Sequence, residues 1–397
     1  MSRTAVALPP HRIEQLPGIP GPTHARVWFR AAHGRLTTTQ RSEFARFLAE
    51  HAHLLGRPWP QVERTYRAAD GTVKLRLRLA DGATVESVVL DDRGRRTLCV
   101  SSQAGCAMGC VFCRTADLGL LRGLGADEIL AQYYCAGDRF GPIGNVVFMG
   151  MGEPLQNVKQ VFTAAAVLAH PLGPAIPFKR LTISTCGIPE GIDRLRAHEF
   201  LPEYPDSRPR LAVSLVTADP LLRARLMPGA TRAASGGAPA SPSGGATASR
   251  GADRPAAPAG TPTPLRPLVA FGALSEALAR YLEETRRPLT LEMPLIADVT
   301  DGDEQAELLC KFLERLPRQD RIDINLIPYN PVPGLPYAAP SNEAVDIYAR
   351  RLIDGGWTVT GRFPRGGSIG AGCGQLGEES PRSLHGHAAC GARGGGR

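Results

Sequence analysis

Thr97-Leu98-Cys99-Val100-Ser101-Ser102-Gln103-Ala104-Gly105-Cys106-Ala107-Met108-Gly109-Cys110-Val111-Phe112-Cys113 decides how the rest of the chain is read. Leu98–Ser102 reads as a β-strand, and the residues after it form a tight loop bearing three cysteines. Working outward, short β-branched runs recur at Asn145–Met149, Leu181–Thr185, Leu211–Val216, Leu289–Ile296 and Asp323–Ile327, with a further one near Trp357–Thr360. Between them lie amphipathic stretches such as Ala126–Ala136 and Ser341–Asp354. In the latter Ser341 or Asn342 can cap, Val345, Tyr348, Ala349 and Leu352 share one face, and Gly355-Gly356 ends the run. Six repeats of strand then helix predict an α/β fold, a partial (β/α)6 barrel whose chemistry sits on the loops after the carboxyl ends of the strands.

A chain of 397 residues that is 43% hydrophobic can bury a large core. No apolar run has signal-peptide or membrane-spanning length, so a cytoplasmic location with no membrane contact is expected. Nine cysteines, clustered on one motif, do not make a secreted disulfide framework and point to metal or redox chemistry. The formal charge of +8 favours a polyanionic partner without identifying one.

Three regions are expected. Residues 1–90 form a small accessory region, with one helix over Gln40–Leu55 and a hairpin of Val73–Leu79 and Val85–Leu90 turning at Asp81-Gly82. Residues 91–376 form the barrel. Within it, Gly229–Pro264 is built of Ala, Gly, Pro, Ser and Thr and reads as a disordered insertion, since it has too little apolar surface to offset chain entropy. The Gly-rich tail 377–397 reads the same way, and His385, His387 and Cys390 in it are assigned no role.

Three thiolates on one loop, Cys106, Cys110 and Cys113, are informative in number. Structural zinc normally takes four ligands, whereas three cysteines can hold a [4Fe-4S] cluster and leave one iron open to an exogenous ligand. Gly150-Met-Gly152-Glu153-Pro154 follows the second strand, where glycines permit close backbone approach to a ligand and a carboxylate can meet an ammonium group. Ser184 ends the third strand, Ser214-Leu215-Val216 the fourth, and Asn-Leu-Ile-Pro-Tyr-Asn330-Pro-Val-Pro-Gly the sixth.

The C-x3-C-x2-C spacing with Phe112 before the last cysteine resembles the radical S-adenosylmethionine enzymes. The ordered set of motifs, from about Asp81 to Leu376 and including Cys373-Gly-Gln-Leu376, resembles the dual-methylating RlmN/Cfr family, which modifies an adenine of ribosomal RNA. The resemblance implies a cluster on the three loop cysteines and adenosylmethionine contacts at Gly152, Glu153, Ser184, Ser214, Leu215, Val216 and Asn330. It further implies that Cys373 carries a methyl group from a first adenosylmethionine, while a second yields the radical that activates that methyl for addition to the ring. Cys99 then matches the thiol that forms a transient disulfide with Cys373, and Glu86 the proton acceptor. RNA (rRNA or tRNA), an electron donor such as flavodoxin or ferredoxin, and a monomeric state are the implied partners and assembly. Cys135, Cys186 and Cys310 match no functional position and read as buried structural residues.

The sequence departs from that family where Arg365-Gly366-Gly367-Ser368-Ile369-Gly370-Ala371-Gly372-Cys373 replaces an acidic carrier segment, which predicts a looser loop. Val216 stands where the family has a histidine, and the insertion follows Leu226-Met227-Pro228. These changes leave room for a methylase of a peptide or small metabolite, or for a non-catalytic iron–sulfur RNA-binding or redox-sensing protein.

Overall fold

The structure is a computed structural model that describes residues 7–51, 60–198, 208–234, 265–361 and 365–377. Its strands are β1 (Gln61–Arg67), β2 (Val73–Arg78), β3 (Thr84–Asp92), β4 (Arg95–Cys99), β5 (Gln103–Gly105), β6 (Leu120–Gly123), β7 (Asn145–Phe148), β8 (Leu181–Thr185), β9 (Arg210–Ser214), β10 (Leu289–Leu295), β11 (Ile322–Pro328) and β12 (Thr358–Gly361). Among the described residues ten of them form one sheet in the order β1-β2-β3-β4-β7-β8-β9-β10-β11-β12, and β5 with β6 forms a small ribbon. The run from β4 to β12 is parallel throughout. Six helical crossings join its strands, so six strand–helix units are present and β12 adds a seventh parallel strand.

Alternation along the strands sorts the side chains. In β10, Leu289, Leu291, Met293 and Leu295 are fully buried on one face, each such side chain contributing roughly 1.5–3 kcal/mol. The opposite face carries Glu292. The same logic turns Ser184 of β8 and Ser214 of β9 toward the barrel interior, where both bond Glu292. Helix Ala126–Phe140 starts where the sequence places it, Gly125 donating its N–H to Glu128 Oε2 at 2.8 Å. Helix Asn342–Asp354 is capped by Ser341, whose Oγ accepts from Ala344 N at 3.1 Å.

Three expectations are corrected. The first core strand spans Arg95–Cys99 rather than Leu98–Ser102, so the cysteine loop leaves from β5 of the ribbon and returns through β6. The single helix expected over Gln40–Leu55 is two, Thr38–Glu43 and Ala45–Glu50. A capping box between Thr37 and Gln40 starts the first, and the chain breaks at Phe44, which with Phe47 lies edge-on to His24; residues 52–55 lie outside the described residues. The insertion does not begin at Gly229, because Pro228–Ala234 is a helix, and the remainder, 235–264, lies outside the described residues. The tail 378–397 also lies outside them.

The accessory region holds more than a helix and a hairpin. The β1 strand extends the hairpin to three antiparallel strands, and helix Pro22–Ala32 packs Trp28, Phe29 and Ala32 into the same hydrophobic core as the barrel. Residue 90 falls inside β3, which pairs with β4 through Val88–Cys99 and Leu90–Thr97, so the sheet runs unbroken from accessory region into barrel. Among the described residues no helix is long and apolar enough to cross a membrane.

Candidate active site

One cavity at the carboxyl ends of the parallel strands is lined by Cys106, Cys110 and Cys113 together with Cys373. The cysteine loop is held there by backbone hydrogen bonds, Cys106 N to Gly119 O at 2.8 Å and Val111 N to Leu226 O at 3.0 Å. Burial pushes the Cys106 thiol up to about 12 and raises those of Cys110 and Cys113 as well; neighbouring thiolates add to the rise at Cys106 and Cys110, and Asp117 adds to it at Cys113. Thiols in that state ligate only by giving up protons. Among the described residues no three His, Cys, Asp or Glu side chains already stand at metal-coordinating separation. The fit of an iron–sulfur cluster therefore rests on the donor set, three soft thiols and no fourth on one loop, facing a common cavity.

Gly152, Glu153, Ser184, Ser214 and Asn330 line the same cavity. Gly150 and Gly152 allow a close approach, but of protein rather than ligand. A Cβ on Gly150 would lie 2.7 Å from the Val100 carbonyl, and one on Gly152, where φ is +98°, would lie 2.5 Å from Gln103 Cβ. Gln103 Oε1 in turn accepts from Glu153 N at 2.8 Å. The Glu153 carboxylate is buried, which raises its pKa, and it accepts from Cys186 N at 2.7 Å and Leu155 N at 2.9 Å. The Thr185 hydroxyl and the Cys186 thiol also hydrogen-bond this carboxylate, so a donor from a ligand would share its oxygens with them.

Leu215 and Val216 lie just past the end of β9, fully buried, and their amides both point to Glu292 O at 3.0 and 3.4 Å. Val216 adopts φ +67°, a left-handed conformation that costs a β-branched residue about 1–3 kcal/mol and that clusters at functional sites. Sequence reasoning missed Glu292. Its Oε2 accepts from Ser184 Oγ at 2.7 Å and from Ser214 Oγ at 3.3 Å, which gathers three oxygen-bearing side chains on the cavity floor. It also treated Cys186 as inert packing, whereas this residue lines the cavity and its backbone serves both Glu153 and Arg223.

The segment bearing Cys373 is not loose. Arg365 donates to the carbonyls of Asp70 and Asp91 at 3.0 and 2.8 Å, and Gly366 N donates to Asp70 Oδ2 at 2.8 Å. Arg114 N donates to Gly374 O at 2.7 Å and Thr115 Oγ1 to Leu376 O at 2.6 Å. Asn330 Nδ2 reaches Cys373 O at 3.5 Å, and Gly372 must be glycine there, because a Cβ would meet Asn330 Cγ at 2.7 Å. The glycines lost acidic side chains but gained docking contacts.

Glu86 and Cys99 do not line the cavity. Cys99 ends β4, half-buried. Glu86 is buried in β3 and accepts from Gly377 N at 3.0 Å, behind the Cys373 segment. A residue that sequence reasoning passed over completes the arrangement. Lys74 Nζ lies 3.5 Å from Glu86 Oε1, donates to Gly370 O at 3.3 Å and sits 4.8 Å from the centre of the Tyr66 ring. Lys74 and Glu86 together hold the segment on both sides of Cys373.

The general model of the radical SAM superfamily matches residues 100–235. The chain is 35% identical over 358 residues to the dual-specificity RNA methyltransferase RlmN of Syntrophobacter fumaroxidans, covering 89% of this chain and 91% of that one. It is 35% identical over 307 residues to the RlmN of Geobacter sulfurreducens, covering 77% and 72%. The crystal structure of a radical SAM methyltransferase from Sphaerobacter thermophilus superposes with a TM-score of 0.70 at 32% identity, over 90% of this chain and 93% of that one. Matched over nearly its whole length in sequence and in fold, with the cysteine loop inside the matched region, the chain belongs to the RlmN family of the radical SAM superfamily.

Proposed function

We propose that the protein methylates a ring carbon of adenine, C2 or C8, in ribosomal or transfer RNA, moving the methyl group from S-adenosylmethionine by way of Cys373. The observation that carries this reading is one cavity lined both by the three loop cysteines and by Cys373. Cys106, Cys110 and Cys113 would hold a [4Fe-4S] cluster, which when bound supplies the electron that cleaves adenosylmethionine.

The chain's own residues supply the rest. Glu153 offers acceptor capacity to the amino group of the cofactor, and Ser184, Ser214 and Glu292 form a hydroxyl-matching cluster suited to a ribose. Asn330 faces both the cavity and the backbone of Cys373. Cys373, exposed on its segment, accepts the methyl group as a thiolate, displacing the thioether of the first adenosylmethionine. A second adenosylmethionine is consumed in activating that methyl group, so two are used per turnover. After addition to the ring, the adduct gives up one electron, which the oxidised cluster would accept, and its ring proton, for which Glu86 is the acceptor; Cys99 then attacks the Cys373 sulfur and breaks its bond to the new carbon, which takes up a proton as the methyl group of the base while the two cysteines are left as a disulfide. We further read the protein as a cytoplasmic monomer served by a flavodoxin or ferredoxin.

The test is mass spectrometry of digested ribosomal and transfer RNA from a strain lacking the gene, complemented with the wild-type chain or with Cys373→Ala. A methyladenosine should vanish on deletion, return with the wild type and stay absent with Cys373→Ala. An unchanged nucleoside inventory on deletion refutes the assignment, and the identity of the lost nucleoside separates C2 from C8.

A further inference from the structure

Helix Pro220–Leu226 follows β9 and packs beneath the cysteine loop. Asp219 caps it, accepting from Leu221 N and Leu222 N at 2.8 and 3.1 Å, and its last residue, Leu226, bonds the loop at Val111 N. The next helix continues the contact, with Gly229 N donating to Met108 O at 2.8 Å. Arg223 lies inside this junction with 3% of its surface exposed. Its Nε donates to Leu215 O at 3.1 Å and its Nη2 donates to Cys186 O.

Among the described residues no carboxylate pairs with Arg223. The ionisable side chains that act on it are the thiols of Cys186 and Cys110. An isolated cation taken out of water costs several kcal/mol, and two neutral carbonyls do not return that cost. Buried guanidinium groups are otherwise found opposite anions. The helix that carries Arg223 ends at Leu226, whose carbonyl bonds Val111 N, the residue next to Cys110, so the buried guanidinium lies in the element that backs the cysteine loop.

We propose that Arg223 is the built-in counter-charge of the iron–sulfur site, a positioning residue that compensates the negative charge of the thiolate-bound cluster from behind the cysteine loop and so sets how readily the cluster takes up an electron. The inference rests on the reading that Cys106, Cys110 and Cys113 hold that cluster. Reduction adds one negative charge to the site, so a fixed cation nearby favours the reduced form, and removing it lowers the potential.

The experiment is a potentiometric titration, followed by electron paramagnetic resonance, of the full chain reconstituted with iron and sulfide under anaerobic conditions. Arg223→Gln removes the charge and keeps an amide donor for one carbonyl, whereas Arg223→Lys keeps the charge and gives up the planar fork. The expected result without adenosylmethionine is a reduction equilibrium at least tenfold less favourable in Arg223→Gln, a downward shift of about 59 mV for one electron. Arg223→Lys should stay within half of that shift.

Equal shifts in the two variants, or no shift in Arg223→Gln, overturn the proposal in favour of a purely structural hydrogen-bonding role. A shift that emerges only when adenosylmethionine is added also overturns it, because the anion compensated would then be the cofactor's carboxylate. If Arg223→Gln does not fold, Arg223→Met, which also removes the charge, takes its place with the same expected shift and the same refuting outcomes. A wild-type chain that takes up no iron and sulfide refutes the cluster reading and this inference with it, whereas a loaded wild type with unshifted variants refutes the inference alone.

Discussion

The latch behind Cys373 can be measured by breaking it in two ways. Lys74 and Glu86 have side chains only 5% and 3% exposed, with Nζ and Oε1 3.5 Å apart. Replacing Lys74 by Met removes one cation from the buried Glu86 carboxylate and leaves Arg76, which stands across from it in the strand register and is itself paired with Glu63 at 3.1 Å. Loss of one partner of a buried pair costs about 3–5 kcal/mol, and the residual cation places this variant near the lower end, about 3 kcal/mol. Glu86→Gln, which strands the ammonium instead, should cost a similar amount.

Replacing both residues removes both charges and leaves Gly370 O and Gly377 N short of one strong partner each, roughly 2 kcal/mol in all. The double variant should therefore fall short of the sum of the singles by about 4 kcal/mol. Native-state hydrogen exchange over residues 366–377, with loaded protein, reads this locally and avoids assuming that so large a chain unfolds in two states. The same segment should exchange faster in every variant, and RNA methylation should fall about 100-fold in Lys74→Met, as an Å-scale displacement of a reacting group does. Additivity within about 0.5 kcal/mol would show that Lys74 and Glu86 do not act on each other and would refute the latch.

Gly152→Ala forces a Cβ to 2.5 Å from Gln103 Cβ at a backbone φ of +98°; adenosylmethionine affinity, followed by equilibrium dialysis, should drop at least about tenfold, and an unchanged affinity would disconnect this turn from the cofactor. With the Cys106 thiol pushed up to about 12 by burial, cluster assembly on the apo chain must release protons, so loading monitored by visible absorbance should improve as pH rises from about 7 to 9. Flat loading over that range would contradict buried, protonated ligands.

The repeating units and the three thiols were legible because each is encoded locally, β8 by its five alternating residues and the cluster by eight consecutive ones. Helix Pro22–Ala32 was legible too, with proline at its first position and Ala25, Trp28, Phe29 and Ala32 at helical spacing, but the reading passed it over. The β1 strand was not legible. Gln61–Arg67 is largely polar because it is an edge strand, where charged residues discourage further pairing, and such a strand carries no hydrophobic alternation to find. Glu292, Lys74 and Arg223 were hidden for another reason: each acquires its meaning from partners far away in sequence, Ser184 for Glu292, Gly370 for Lys74 and Cys186 for Arg223. The expectation of a looser carrier segment failed because it weighed only glycine's freedom in the unfolded chain, whereas Gly372 is required by close approach to Asn330.

The two sulfur centres make opposite electrostatic demands, and the fold meets them with two separately placed cations. Cys373 must be accessible to cofactor and substrate in turn, so it stands exposed on a segment whose ends are fixed from behind, and the fixing charge, Lys74, comes from the accessory strands. The loop cysteines are half-buried and held from behind by helix Pro220–Leu226, and the compensating charge, Arg223, comes from the barrel. Lys74 pairs with Glu86 of β3, while Arg223 hydrogen-bonds carbonyls past β8 and β9, and among the described residues the two share no partner. Separate partners mean separate energetics. An Arg223→Gln substitution should therefore leave hydrogen exchange of residues 366–377 unchanged, and Lys74→Met should leave the cluster potential unchanged. Cross-talk between the two readouts would mean that the cysteine loop and the carrier segment move as one body, joined through Arg114 N and Gly374 O.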